Sequence, residues 1–350
     1  MELVHGGDWA GYRTRFGHDA LDFSANVSPL GLPQGIADAI TAALPAADRY
    51  PDPLCRALRA DIGAAEALPP DWILCGNGAA DLIYRLVWAH KPRRALLPAP
   101  AFAEYAAALT TVDCEIKRVF LRDADDFAVT DAFVQAVDES IDLVFLCQPN
   151  NPTGQITPPE LVHRLVQRCA DCGAVLVVDE CFLDFLPQRD ALTAKTLLGQ
   201  YPNLILLKAF TKLYAMAGVR LGYALCANTA LLAAMQAAGQ PWGVSSLAQA
   251  AGIAALKETA YADAVRALIA DQRPKLEAGL RALGLRVVPG SANYLLFCAP
   301  DTLGEELQQK GICLRGCGNY PGLDATWYRT AVRTAPENET LLRTMREVLA

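Results

Sequence analysis

"DLVFLCQPNNPTG", residues 142–154, is an apolar run that stops in a turn cluster. Leu143 to Cys147 carry no polar alternate. A strand covered on both faces reads this way, whereas a half-exposed strand alternates. Asn-Pro and Thr-Gly then break the run. Two later stretches repeat the design: "AVLVVDECFLDF" (174–185) and "NLILLKAF" (203–210). Between the first two lies "PPELVHRLVQRCADCG" (158–173), with helical periodicity and a glycine stop. Upstream, "RALLPAP" (94–100) is followed by the helix-like "AFAEYAAAL". Continuous apolar strands separated by helices predict an α/β fold with a mostly parallel sheet.

The chain has 350 residues, of which 53% are hydrophobic, enough for a large core and a smaller second part. Past residue 244 the pattern changes. Residues 245–284 read as long Ala/Leu-rich helices, and "LRVVPG", "ANYLLFCAP", "GICLRGC" and "YRTAVRTA" read as short strands. The expected division is a large domain over 41–243 and a smaller α+β domain of 244–350 joined by the loop-rich segment 1–40.

Formal net charge is −7 with no basic block, which argues against nucleic acid or an anionic membrane as partner. The opening "MELVHGGDWAGYRTRFG" lacks the basic and apolar regions of a secretory signal, and no run is apolar enough to span a membrane. A cytoplasmic protein is expected. The eleven cysteines lie mostly in apolar contexts, and the four histidines show no zinc-ligand spacing, so the thiols read as interior groups and no metal site is expected.

Ligands of a doubly wound sheet bind beyond the carboxyl ends of its strands. Here Asn151 follows the first run, Asp179 ends the second and Lys212 follows the third. Singly, these read as a turn residue, a helix N-cap and a surface lysine. In order, at three successive strand ends, they form a site. The chemistry that wants this trio is pyridoxal 5'-phosphate (PLP). A lysine amine condenses with the aldehyde. A carboxylate keeps the ring nitrogen protonated so that the ring takes up electrons. An amide donates to the ring phenolate. Arg220 and a glycine-rich helix start would hold the phosphate. Lys208 is the competing lysine, but it lies within its strand rather than at the end.

The motifs N-N-P-T-G, V-D-E-x-F and T-K-x-x-x-x-x-G-x-R-x-G-Y, in this order, resemble the fold-type I PLP enzymes of the aspartate-aminotransferase superfamily. Within it the chain is similar to histidinol-phosphate aminotransferases and, through "HGGD", "DFSANVSPLGLP", "RYPDP", "CGNGAADLI" and "NYPGLDATWYRTAVRTA", to the threonine-phosphate decarboxylases of cobalamin biosynthesis. The resemblance implies decarboxylation of O-phospho-L-threonine, with O-phospho-L-serine as a further substrate. The alternative is a histidinol-phosphate-type amino transfer.

The resemblance also implies roles. Lys212 would carry the cofactor beside Thr211, Asp179 would face the ring nitrogen and Asn151 the phenolate. Backbone N–H groups of Asn77, Gly78 and Ala79, with Arg220, would bind the phosphate, and Phe102 would stack on the ring. Tyr50 would reach the phosphate bound by a neighbouring subunit, implying a homodimer with shared sites. Arg329 would clamp the substrate carboxylate, Arg315 and Arg333 would suit its phosphate, and His5 and Asn26 would close over it. Two positions depart from the superfamily pattern. Ala209 replaces the usual Ser or Thr, removing a hydrogen bond of roughly 1 kcal/mol to the cofactor phosphate. Phe182 replaces the Tyr of most aminotransferases, a feature shared with the decarboxylases.

Overall fold

The computed structural model describes residues 5–350; the first four residues, placed by the sequence reading in the smaller part, lie outside them. A seven-stranded sheet runs in the order Ile73–Gly76, Gly222–Leu225, Leu204–Ala209, Val175–Asp179, Leu143–Cys147, Arg94–Ala99, Glu115–Phe120. All neighbours are parallel except Gly222–Leu225, which runs antiparallel to both of its partners. The four expected strands form the centre of this sheet. Ile73–Gly76, Gly222–Leu225 and Glu115–Phe120 were not singled out in the sequence. The first two are only four residues long, and the last, at the sheet edge, is half-exposed.

Side chains alternate between the sheet's two faces. Val144, Leu146, Leu176, Val178 and Leu206 pack under helices Arg56–Glu66 and Pro159–Asp171. Leu143, Phe145, Val177, Ile205 and Leu207 face helices Ala79–His90 and Ala103–Thr110. Both faces are thus dry, which is why the runs are continuously apolar. Register places Cys147 opposite Asp179 and Asp179 opposite Leu207, so the three central strands end together.

The smaller sheet is antiparallel, in the order Arg315–Gly316, Trp327–Ala331, Tyr294–Cys298, Arg286–Val287. Helices Thr259–Ala282 and Ala335–Val348 cover it through Ile269, Leu276, Leu341 and Met345. The N-terminal segment is stitched onto this part. Leu21 and Asp22 pair in parallel with Ile312 and Cys313, and the Ala331 N–H donates to the Phe23 carbonyl. That segment is less irregular than its composition suggests, since helices occupy Trp9–Phe16 and Gln34–Ala43. Helix Ser246–Ala255, placed by composition in the C-terminal part, buries Ala248, Ala251 and Ala255 in the same core as Leu58 of the large part and as Ile36, from the N-terminal segment expected in the smaller one. Small side chains let it approach closely: a Cβ on Gly252 would meet Leu221 at 2.5 Å. Among the described residues no helix is long and apolar enough to cross a membrane.

Candidate active site

A cavity of about 300 Å³ opens at the carboxyl edge of the large sheet, between the two parts. Asn151, Asp179, Thr211, Lys212 and Arg220 line it from the large part, and Asn26, Arg315 and Arg329 from the smaller one. Strand ends therefore bring the three rim residues together as their spacing implied.

Lys212 lies in the short helix Phe210–Leu213, immediately after strand Leu204–Ala209. Its ammonium sits 5.6 Å from the centre of the Phe182 ring. Burial, then the guanidinium of Arg329 and, less, that of Arg220, lower its pKa to about 8. A nucleophilic amine needs its free-base form, and this setting makes that form far more accessible near neutral pH than in an ordinary lysine. The competing Lys208 is buried elsewhere. Its Nζ is 2.9 Å from Asp184 Oδ1 and 3.8 Å from both Glu66 Oε1 and Glu180 Oε2. Those acids hold it protonated, so it is no nucleophile.

Asp179 is held at both oxygens. Oδ1 accepts from the Cys181 backbone N–H at 3.0 Å and Oδ2 from the Tyr105 hydroxyl at 2.6 Å. Burial and the Asp179 charge push the Tyr105 hydroxyl well up, so it stays a donor. Tyr105 stacks on Phe145 at 4.6 Å, which fixes its ring. Sequence reasoning passed over Tyr105; its only signal is a place one helical turn beyond Phe102, which also lines the cavity.

Of the three backbone N–H groups expected to face a phosphate, the structure engages two elsewhere. The Asn77 N–H donates to Asp81 Oδ2 at 2.9 Å and the Gly78 N–H to the Gly76 carbonyl at 2.8 Å. The Asn77 and Gly78 donors are thus in use, the first because Asp81 in the first turn folds back on the loop, and Ala79 is the expected donor left at the helix start. The helix starts at Ala79 with no side-chain cap, and Ala79 and Ala80 line the cavity. First-turn N–H groups have no partner within a helix and favour an anion. Arg220, at φ +62°, stands beside this start: a Cβ on Gly78 would lie 2.6 Å from its Nη2.

Arg329 is 7% exposed. Its Nη1 donates to Asn151 Oδ1 at 2.6 Å and its Nη2 to the Ser24 carbonyl at 2.9 Å, while its buried Nε has no partner. Asn26, 2% exposed, has neither its amide nitrogen nor its oxygen bonded. Buried polar groups left open at a cavity wall mark where a ligand completes them. Arg315 sits directly across the antiparallel pair from Arg329, its guanidinium over Tyr320.

Two expected residues stand apart. Arg333 does not line the cavity. Glu337, one turn on, captures its Nη2 at 2.6 Å, and its Nη1 donates to the Asp22 carbonyl, so its charge is spent on the capping of helix Ala335–Val348. Tyr50 is 79% exposed, stacked on Trp242 at 4.4 Å, and does not line this cavity. Cys147 and Cys181, among the thiols read as interior, line the cavity beside Asp179.

This set fits PLP: a half-buried amine of lowered pKa, an acid fixed at both oxygens, an amide, an aromatic ring, and an uncapped helix start beside an arginine. Residues 19–345 match the family described as Aminotransferase class I and II. The chain belongs to the class I and II aminotransferase family. It is a PLP-dependent enzyme. It is 38% identical to the threonine-phosphate decarboxylase of Salmonella typhimurium, over 99% of this chain and 96% of that one. It is 32% identical to the histidinol-phosphate aminotransferase of Symbiobacterium thermophilum, over 95% and 91%. The histidinol-phosphate aminotransferase of Sinorhizobium meliloti, solved with pyridoxal-5'-phosphate, superposes with a TM-score of 0.89 at 24% identity, over 100% of this chain and 95% of that one, a likeness of fold.

Proposed function

We propose that the enzyme decarboxylates O-phospho-L-threonine to (R)-1-amino-2-propanol O-phosphate for cobalamin biosynthesis, and accepts O-phospho-L-serine. One observation carries this reading. Arg315 and Arg329 form a direct cross-strand pair at the cavity, in addition to the Arg220 and helix start that suit the cofactor phosphate. Like charges directly opposite destabilise a sheet. A substrate that brings two anions, a carboxylate and a phosphate, relieves that repulsion and is held at both ends. The 38% identity to a threonine-phosphate decarboxylase and Phe182 support the same substrate.

When bound, PLP supplies the electron sink that lets the α-carboxylate leave as CO₂. The residues decide which bond is placed to break. Arg329 would hold the carboxylate and Asn151 the ring phenolate, with Arg315 at the substrate phosphate and His5 and Asn26 closing over it. Lys212 would hold a proton and deliver it to Cα. Asp179 would keep the ring nitrogen protonated, and Tyr105 and the Cys181 N–H keep Asp179 aimed.

The methyl that separates the two substrates is worth about 1–3 kcal/mol in a pocket, so a preference of about 10- to 200-fold is expected, not exclusion. The exposed Tyr50, stacked on the exposed Trp242, supports a homodimer in which this pair is covered and Tyr50 reaches the partner's cofactor.

The test is CO₂ release from O-phospho-L-threonine with no 2-oxoacid present. Release at turnover rates is expected. No release, with amino transfer from histidinol phosphate to 2-oxoglutarate, would replace this reading by the aminotransferase one.

A further inference from the structure

Tyr320 is 4% exposed and lines the active-site cavity. Every other buried tyrosine among the described residues donates its hydroxyl at 2.6–2.9 Å: Tyr12 to the Gln308 carbonyl, Tyr105 to Asp179, Tyr201 to Gln167, Tyr223 to Glu66, Tyr294 to the Asn150 carbonyl and Tyr328 to the Asp301 carbonyl. No described residue takes the hydrogen of the Tyr320 hydroxyl. A buried phenol normally finds an acceptor, so this one calls for a ligand that supplies it.

The ring is held, which gives its hydroxyl a fixed place. The Tyr320 N–H donates to the Cys317 carbonyl at 3.0 Å, and the Leu323 N–H donates to the Tyr320 carbonyl at 3.0 Å. The side chain packs in one core with Phe127, Cys317 and Trp327. The Arg315 guanidinium stands 5.5 Å from the ring centre, its Nη1 donating to the Gly316 carbonyl and its Nη2 to Asn319 Oδ1. Burial raises the pKa of the hydroxyl against the opposing charges of Arg329 and then Arg315, so it keeps its proton near neutral pH. A guanidinium carries donors and no acceptor. Both arginines therefore attract the phenolic oxygen, and neither can take its hydrogen. That hydrogen is left for an anion entering the cavity.

We propose that Tyr320 is a substrate-binding residue, whose hydroxyl donates to the substrate phosphate held by Arg315. This rests on the phosphorylated-substrate reading above. The phosphate is favoured over the carboxylate because it is Arg315 that stands over this ring. Arg329 lies over Tyr294, whose hydroxyl is already spent on the Asn150 carbonyl. A phosphate brings three acceptor oxygens, so Arg315 and Tyr320 can each bond a different one.

The test compares wild-type and Y320F holoenzyme. The substitution removes the hydroxyl and keeps the ring. With no acceptor lost in the free enzyme, its thermal midpoint without ligand is expected within about 2 °C of wild type. Binding is read from the absorbance of the bound cofactor with two ligands: O-phosphoethanolamine, which has the phosphate but no carboxylate, and L-threonine, which has the carboxylate but no phosphate. Y320F is expected to raise Kd for O-phosphoethanolamine at least about tenfold, through loss of a hydrogen bond to a charged group, and Kd for L-threonine less than about twofold. KM for O-phospho-L-threonine rises with the first of these, while kcat changes less than about threefold. A Kd for O-phosphoethanolamine within about twofold of wild type overturns the proposal. So does an equal loss for both ligands, which a distorted cavity would give. A loss of PLP affinity above about tenfold also overturns it, by placing the hydroxyl at the cofactor phosphate. Wild type that binds O-phosphoethanolamine yet releases no CO₂ from O-phospho-L-threonine removes the decarboxylase reading, and the two binding ratios still decide the role of Tyr320.

Discussion

The Asn151 amide oxygen accepts a 2.6 Å hydrogen bond from Arg329 Nη1, joining a turn of the large sheet to a strand of the smaller one across 178 residues. The same guanidinium donates to Ser24. Two bonds in fixed directions need the planar fork of arginine, and a lysine makes only one of them. R329K is therefore expected to lower kcat/KM by about 10²–10³, since disrupting a buried charged contact costs about 2–5 kcal/mol. Steady-state kinetics measure this. A cofactor dissociation constant changed by less than about tenfold would place the loss at the substrate.

Lys212 and Lys208 separate by the colour of the protein. K212A is expected to lose the absorbance of covalently bound PLP and to trap nothing with borohydride. K208M keeps the colour but is less stable by about 3–5 kcal/mol, because Glu66, Glu180 and Asp184 lose their shared cation. Glu180, fully buried, already has a pKa raised to about 7 by burial. Denaturant melts and visible spectra of both variants test the pair. A colourless K208M would overturn this assignment.

Cofactor capture should follow the ionisation of Lys212. With its pKa lowered to about 8, the rate at which apoenzyme takes up added PLP rises with pH through a midpoint near 8. An unperturbed lysine would give a midpoint near about 10.4. Burial and the Arg329 charge both disfavour the ammonium, so R329Q moves the midpoint upward. Stopped-flow absorbance across pH 6–10 measures both.

Ala209 lies opposite Gly222 in the sheet, and a Cβ on Gly222 would sit 2.6 Å from the Ala79 nitrogen. The Ala209 position thus borders the helix start that suits the phosphate. A209S restores the hydroxyl common in the superfamily and is expected to tighten PLP about three- to tenfold, from about 1 kcal/mol of added hydrogen bonding. Equilibrium dialysis of the cofactor checks this, and unchanged affinity would show that the site has already compensated.

Much of this protein is written locally. Apolar runs followed by Asn-Pro, Asp and Lys mark three strands and the rim trio, and a run ending in prolines marks a fourth, because burial on both faces and a stop at the strand end leave their trace within a dozen residues. The capture of Arg333 by Glu337, four residues on, was equally local, but it competed with a functional reading of the same arginine. Tertiary structure alone decided the contacts between distant segments: Tyr105 on Asp179, Arg329 on Asn151, His5 on Glu104, and Lys208 among three acids. It also decided that Asp81 takes the Asn77 N–H, while Ala79 and Ala80 face the cavity. A periodic pattern records which face of a segment is dry. Which charged group meets which is settled only when strands far apart in the chain come into register and their side chains must find partners or stay unpaired.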